Sequence, residues 1–231
     1  MKVVREPALT ATGLSNFITG DPLQQRSVLR SFKYPEPEGE GRAMYYSKSD
    51  NLIRSALHFS SPELRLRTHA IELEQELLTL DKIPGRSEHN LRVIRQFADI
   101  VATRNFTPTP RRHLAFVHAG VTIRATPELY VTEGGVLKLV KLHHKEAPAG
   151  VHAANIIRRA IWLAATRSGL DIQPNQVVLL HTATGKELGT NARNQRLTEL
   201  IQAACENIAV IWPTIPMPSP VASRRHAAGN P

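Results

Sequence analysis

Charged and titratable side chains collect in one short stretch, residues 121–145, which reads VTIRATPELYVTEGGVLKLVKLHHK. Glu128 lies before a glycine pair in this stretch, and Lys141 and His143 lie after it. In such a set the carboxylate could bind a divalent metal ion, and the ammonium group could stabilise the charge of a phosphate. Structural interpretations are also open: Lys141 could form a buried ion pair with Glu128 or Glu74, and His143 could be an edge residue.

Two segments with strand-like composition must position these groups. Residues 113–131 are rich in strand formers, with Gly120 as a bulge or turn, and residues 136–143 predict a second strand. Gly134-Gly135 predicts a hairpin turn between them. Because side chains alternate between faces, each arm groups a set of residues on one side. These are Arg124, Glu128 and Tyr130 on the first arm, and Leu137, Leu139, Lys141 and His143 on the second.

The other elements follow from helical periodicity and capping signals. Asp21-Pro22-Leu23-Gln24 predicts a helix start with a capping box, and Leu23, Val28, Leu29 and Phe32 supply its apolar contacts. Further helices are predicted at about 61–80, 87–104, 151–168 and 191–208, with a buried strand at 176–181. The helix between two strands makes at least part of the sheet parallel or mixed.

The hairpin and the helix after it resemble the PD-(D/E)XK nucleases, especially the RecB-like group. In that family an acid ends one strand, and the next strand carries an acid, any residue and a lysine. The two acids bind divalent metal and the lysine helps to activate water. The family core, with a helix, three strands, a helix and a strand, matches the order predicted for residues 61–181. Residues 9–18 also resemble the opening helix of RecB-like proteins. The resemblance implies a restriction-endonuclease-like α/β fold, with a mixed sheet flanked by helices.

The site that the resemblance implies is altered in this sequence. Glu128 matches the first acid, whereas Lys141 stands at the second acid and His143 at the lysine. A cation in place of an acid removes a ligand and repels Mg²⁺. Glu74 could supply an acid from a helix and His118 a histidine ligand, so that Glu74, Glu128 and His118 would hold Mg²⁺ or Mn²⁺. Alternatively, the active residues have moved, and Lys141 is the functional lysine.

The charge of the chain favours a nucleic-acid partner. The 231 residues include 29 Lys and Arg against 20 Asp and Glu, which gives a formal net charge of +9. Such a charge speeds the encounter with DNA or RNA, although a basic protein without a polyanionic partner has the same composition. The residues that we predict to contact phosphate are Arg111, Arg112, Arg124, Lys138, Lys145, Arg158 and Arg159.

Composition also argues against several kinds of site and segment. The single cysteine, Cys205, cannot form an internal disulfide or, within this chain, an iron–sulphur cluster. Gly20-Asp21-Pro22 stands where some RecB-like proteins carry a cluster cysteine. No run of 18 apolar residues predicts a transmembrane helix, and the N-terminus lacks a signal-like core. These features predict a cytoplasmic protein.

Three functional hypotheses remain, on a common domain plan. The plan has a small helical N-terminal extension (1–60), an α/β core (61–213) and a disordered basic, Pro-rich tail (214–231). The first hypothesis is a nucleic-acid-binding protein on a nuclease-like fold with a degraded active site. The second is an active metal-dependent DNA or RNA nuclease with Glu74, Glu128, Lys141 and His143 as its catalytic set. The third is a protein-interaction subunit, or homo-oligomer, of a bacterial defence or mobile-element system.

Overall fold

A computed structural model describes residues 2–35, 46–80, 86–189 and 195–218, without the side chains of residues 76–80 and 86. The elements in chain order are β1 (Ala8–Thr10), α1 (Ala11–Thr19), α2 (Pro22–Lys33), α3 (Ser47–Ala56), α4 (Pro62–Leu80), α5 (Arg86–Val101), β2 (Thr107–Pro108), β3 (Ala115–His118), β4 (Val121–Arg124), β5 (Leu129–Glu133), β6 (Val136–His143), α6 (Val151–Arg167), β7 (Val177–His181), β8 (Glu187–Leu188) and α7 (Gln195–Ile211). These elements make an α/β protein with two sheets.

The larger sheet has five strands in the order β2-β5-β6-β7-β8. β5 and β6 form the predicted antiparallel hairpin, and its turn uses the left-handed backbone of Gly134 and Gly135, with φ of 59° and 77°. α6 then crosses over to β7, which pairs in parallel with β6. The predicted strand at 136–143, helix at 151–168 and buried strand at 176–181 are confirmed.

The arm of strand formers at residues 113–131 is divided between two sheets, and the turn predicted at Gly120 within it is confirmed. This arm contains three strands, with a turn at Ala119-Gly120, where φ is 48° and 74°. β3 and β4 pair with each other and with β1, in the order β1-β4-β3, whereas β5 belongs to the larger sheet. Arg124 therefore does not lie on the same strand as Glu128 and Tyr130, because the chain leaves one sheet and enters the other between residues 124 and 129.

Two apolar cores lie on opposite faces of the larger sheet. α3, α4 and α5 bury their apolar sides against one face, which presents Leu129, Val140 and Val178. α1, α6 and α7 and the smaller sheet pack on the other face, which presents Leu139 and Leu179. The predicted helices at 61–80 and 87–104 are confirmed as α4 and α5, with a slightly earlier end for α5. The start predicted for the last helix at residue 191 lies outside the described residues.

Described segments near both ends of the chain, on the outer sides of the boundaries predicted at residues 60 and 214, pack in the core of the fold. β1 pairs in parallel with β4, and the apolar residues of α1 pack in the same core as those of α6. Ile215 is also buried in that core. The described helices and the strand of residues 1–60 therefore pack with later parts of the chain. Residues 219–231 of the predicted tail lie outside the described residues.

α2 begins as its sequence predicts. The Asp21 carboxylate accepts hydrogen bonds from the main-chain N–H groups of Leu23 and Gln24, both at 2.9 Å. The Gln24 side chain in turn accepts from the Asp21 N–H at 3.2 Å, which completes the capping box. Leu29 is buried as predicted, but Leu23 is exposed, because it lies on the solvent side of the first turn.

Lys33, at the end of α2, fixes the carbonyl groups that follow α7. Its Nζ donates to the main-chain oxygens of Trp212 at 2.7 Å and Ile215 at 3.1 Å. We expect Lys33→Met to lower the free energy of unfolding by about 1.5 kcal/mol, because charge-assisted bonds to these oxygens are lost. Urea unfolding of this variant and of Arg30→Met, which removes an exposed cation from the same helix, checks the prediction. Equal losses would contradict it.

Candidate functional site

Glu128 and Lys141 face each other across the hairpin. Leu129 pairs with Val140, so the register continues one step to place Glu128 beside Lys141. Lys141 Nζ donates to Glu128 Oε1, and the main-chain N–H of Leu142 donates to Glu128 Oε2 at 2.7 Å. The side chains are 14% exposed for Glu128 and 22% for Lys141. The structure thus pairs Lys141 with Glu128 and not with Glu74.

This ion pair changes what Glu128 can do. Both of its oxygens accept hydrogen bonds, and one of the donors is a cation. A carboxylate in this state has its charge balanced within the protein. Glu128 is therefore held as a structural partner, close to the end of the sheet at which β5 begins.

Arg54 of α3 is a neighbour of this pair that the sequence analysis missed. Burial, and then the positive charge of Arg111, lower the pKa of the Arg54 guanidinium, whereas the charges of Asp50 and Glu128 act in the opposite direction. Arg54 is thus held half-buried within electrostatic range of another arginine. The sequence signal that could have revealed this helix is the helical spacing of Ile53 and Ala56, which predicts an amphipathic helix. Both residues are buried in the structure.

Tyr130 fixes the chain segment that carries Arg111 and Arg112. Its hydroxyl donates to the main-chain oxygen of Arg112 at 2.6 Å. Burial raises the pKa of Tyr130 to about 12, although the charges of Arg111 and Arg112 oppose this rise. The hydroxyl therefore stays protonated and keeps its donor role at neutral pH. Both arginines remain exposed, so their side chains are accessible from solvent next to the Glu128 pair.

His143 does not supply the positive charge of the family lysine. Burial lowers its pKa, the hydrogen bond with the Ala147 oxygen acts in the opposite direction, and the neighbouring His181, Lys145 and His144 each add a smaller downward effect. The neutral form of His143 is therefore favoured. Its Nε2 lies 3.0 Å from that oxygen, which indicates a donor Nε2–H.

His144, the next residue, anchors α3 at the end of the larger sheet. Its Nε2 lies 2.9 Å from Asp50 Oδ1, and its ring packs 4.7 Å from that of Tyr46. Asp50 is one turn before Arg54 on α3, so this contact helps to place Arg54 beside the hairpin. His144 itself is buried and serves a packing role.

The structure does not bring together the predicted metal ligands Glu74, Glu128 and His118. Glu74 is exposed on α4, where both its oxygens lie 2.8 Å from Arg95 Nη2. His118 lies in the smaller sheet, 3.3 Å from Glu206. No group of three or more His, Cys, Asp or Glu side chains suited to a metal occurs in the described parts of the chain. The residues present therefore do not fit the Mg²⁺ or Mn²⁺ site that the resemblance implies.

Of the residues predicted to contact phosphate, four have exposed side chains and three bind other groups of the protein. Arg111, Arg112, Arg124 and Lys145 are exposed. Arg158 is instead buried, with its Nε donating to the Val177 oxygen at 2.7 Å, so its prediction as a phosphate contact is wrong. The other two have protein partners. Lys138 binds Glu133 at 2.5 Å, and Arg159 donates to Thr198 at 2.8 Å while stacking over Trp162.

No protein-family model matches the chain, and no curated protein matches it significantly. Among the helices that the structure describes, none is long and apolar enough to span a membrane.

Proposed function

We propose that this protein binds nucleic acid through the exposed arginines beside the Glu128–Lys141 pair, on a nuclease-like scaffold with a degraded catalytic set. The observation that carries the proposal is the exposure of Arg111 and Arg112 on the segment that the Tyr130 hydroxyl fixes, with the half-buried Arg54 within electrostatic range of Arg111. Two guanidinium groups repel each other, and partial burial adds to that cost. A phosphate between them would relieve both effects, and arginine is well suited to bind phosphate.

The charge balance of the surrounding residues supports this proposal. Lys141 balances Glu128, and His144 contacts Asp50. Arg54, Arg111 and Arg112 then provide positive charge at the end of the larger sheet, two of them with exposed side chains. A cluster of this sign attracts a polyanion and adds to the general attraction that a net charge of +9 produces.

The topology supports the restriction-endonuclease-like part of the proposal. The β5–β6 hairpin, the α6 crossover and the parallel strand β7 follow one another as in the core that the resemblance implies. Glu128, just before β5, and Lys141, within β6, stand on the two arms that correspond to those of the family motif. The paired state of Glu128 favours binding without cleavage as the retained activity.

Fluorescence anisotropy with labelled single- and double-stranded DNA and RNA tests the proposal. We expect the wild type to bind at low salt, with affinity that falls steeply as salt rises. Arg111→Ala/Arg112→Ala should weaken binding by about tenfold or more and reduce the salt slope by about two. Adding Arg54→Ala to this double variant should weaken the binding further. The matched control is Arg26→Ala/Arg30→Ala, which removes two exposed arginines from α2.

Two outcomes would reject the proposal. The first is the absence of binding to every probe at low salt, and the second is an equal loss in the Arg111/Arg112 and Arg26/Arg30 double variants. A stable partner protein that copurifies without any nucleic-acid binding would favour the hypothesis of an interaction subunit in a defence or mobile-element complex.

The same preparations test the hypothesis of an active nuclease. With Mg²⁺ or Mn²⁺ added, we expect no cleavage of the bound probes, because Glu128 is already paired. Cleavage that Glu128→Ala abolishes would replace our proposal with a metal-dependent nuclease. Cleavage that survives both Glu128→Ala and Lys141→Ala would indicate a contaminant or another site.

A further inference from the structure

The segment 109–114 connects β2 of the larger sheet to β3 of the smaller sheet. Its main chain is fixed at both ends. The N–H of Thr109 donates to the oxygen of Tyr130, and the N–H of Ala125 donates to the oxygen of Leu114, both at 2.8 Å. Four residues lie between these two anchors. A stretch of this length keeps several free backbone angles unless a further contact holds its middle.

The side chain of Tyr130 supplies that contact. Its hydroxyl donates to the main-chain oxygen of Arg112 at 2.6 Å, while its own main-chain oxygen holds Thr109. Tyr130 is 4% exposed and packs in the core formed with α1 and α6, so its hydroxyl is a rigid point of attachment. Only Pro110 and Arg111 then remain between the two points that Tyr130 holds, and the proline ring fixes one of their backbone angles.

Repulsion between positive charges acts against this attachment. Arg54 of α3 lies within electrostatic range of Arg111, and the two guanidinium groups repel each other. A loose segment would relieve the repulsion by moving Arg111 and Arg112 away from α3. The bond from Tyr130 resists that movement, because it ties Arg112 to a side chain that is buried in the core. The positive charges are thus kept together before a ligand arrives.

We infer that Tyr130 is a positioning residue for phosphate binding, and that its hydroxyl pre-organises Arg111 and Arg112. The inference rests on the proposed function and names the buried residue on which the affinity of that site depends. Tyr130 acts through the segment, since its side chain is covered by the core and both arginines are exposed. A ligand that meets a fixed pair of arginines loses less affinity to ordering than one that must gather a mobile pair.

Tyr130→Phe tests the inference with the labelled DNA and RNA probes, because phenylalanine keeps the ring in the core and removes only the hydroxyl. We expect the affinity at low salt to fall about fivefold. The salt slope should remain that of the wild type, since the same arginines still meet phosphate, whereas Arg111→Ala/Arg112→Ala reduces it.

NMR relaxation of the free protein measures the mobility of the segment directly. In Tyr130→Phe, the order parameters of the main-chain N–H groups of residues 111–113 should fall from about 0.85 to below about 0.6. Those of Thr109 and Leu114 should stay at the wild-type values, because their own hydrogen bonds are retained.

Two other variants that lose a hydroxyl are the matched controls. Tyr34→Phe removes a tyrosine hydroxyl outside the segment, which donates to the main-chain oxygen of Ile215 at 3.2 Å. Thr109→Val removes a buried hydroxyl of the segment itself, for which the described residues provide no hydrogen-bond partner. Both variants should bind the probes like the wild type, and circular dichroism checks that all three variants are folded.

The outcomes separate this inference from the proposed function. If the wild type binds and Tyr130→Phe binds equally well, the inference is overturned and the proposed function stands. An equal loss in Tyr34→Phe, or a loss in Tyr130→Phe with unchanged order parameters at residues 111–113, would overturn it too. A wild type that binds no probe rejects the proposed function, and this inference with it.

Discussion

Lys141→Met is expected to lower the free energy of unfolding by about 3 kcal/mol, because it leaves a largely buried carboxylate without its cation. Glu128 is 14% exposed, and the Leu142 N–H would be its remaining hydrogen-bond donor among the contacts described above. Methionine keeps the apolar stem of lysine, so packing changes little and the loss reports on charge. Urea unfolding at pH 7 measures it.

The partner variants separate the ion pair from general effects. Glu128→Gln should cost less than Lys141→Met, because the flexible lysine stem can carry its ammonium toward solvent. The double variant Glu128→Gln/Lys141→Met should recover at least half of the loss, since no charge is then left unpaired. Lys145→Met removes an exposed lysine just beyond β6 and serves as the control. If Lys141→Met were as harmless as this control, the pair would have no structural role.

Glu133→Gln is expected to lower the free energy of unfolding by about 2 kcal/mol at pH 7, even after allowance for partial solvent screening. Glu133, at the end of β5, accepts from Arg104 at 2.6 and 2.7 Å and from Lys138 at 2.5 Å. Glutamine retains the shape but loses the charge. Urea unfolding at pH 7 measures the loss, and Glu146→Gln, an exposed carboxylate, is the control.

The effect of Glu133→Gln should disappear in acid. The hydrogen bonds from Arg104, with a smaller contribution from Lys138, lower the pKa of Glu133 from 4.5 to about 2 against the opposing effect of burial. The folded protein therefore holds this proton less tightly than the unfolded chain, and the stabilisation is complete only above about pH 4.5. It is lost as the pH falls toward 2. Unfolding of both proteins at pH 7 and pH 3 should show the difference shrinking, and a constant difference would contradict the prediction.

Lys141→Met also bears on function. If Lys141 is a structural partner of Glu128, a variant that remains folded should keep most of its nucleic-acid affinity, whereas Arg111→Ala/Arg112→Ala should lose it. The opposite result would assign the phosphate contact to Lys141 and would support the interpretation in which the functional lysine has moved. Anisotropy at a temperature well below the unfolding transition of the variant measures this difference.

Local signals predicted the elements that depend on nearby residues. The run of apolar residues at Val177–His181 predicts a strand buried on both sides, and all five of its residues are buried. The glycine pair predicts the hairpin turn, because its two residues adopt backbone angles that favour glycine. Asp21 and Gln24 predict the start of α2 through hydrogen bonds that span only three residues.

Elements that depend on distant pairing were not predictable in the same way. β1 and β4 pair in parallel, although residues 8–10 show no alternation long enough to indicate a strand. The division of residues 113–131 between two sheets likewise has no local cause, because a strand-forming sequence does not specify which strand it pairs with. For the same reason, the role of Arg54 became visible only when α3 was placed beside the hairpin.

The sequence by itself determined the net charge, the order of helices and strands around the hairpin, and the presence of Glu128 and Lys141 on its two arms. Only the tertiary structure decided that these two side chains pair with each other, that Glu74 pairs with Arg95, and that Arg158 is buried. The physical reason is the separation along the chain over which each kind of interaction acts. Periodicity, capping and turn chemistry act over a few residues, whereas the partner of a charge depends on sheet register and helix packing between segments far apart in the chain.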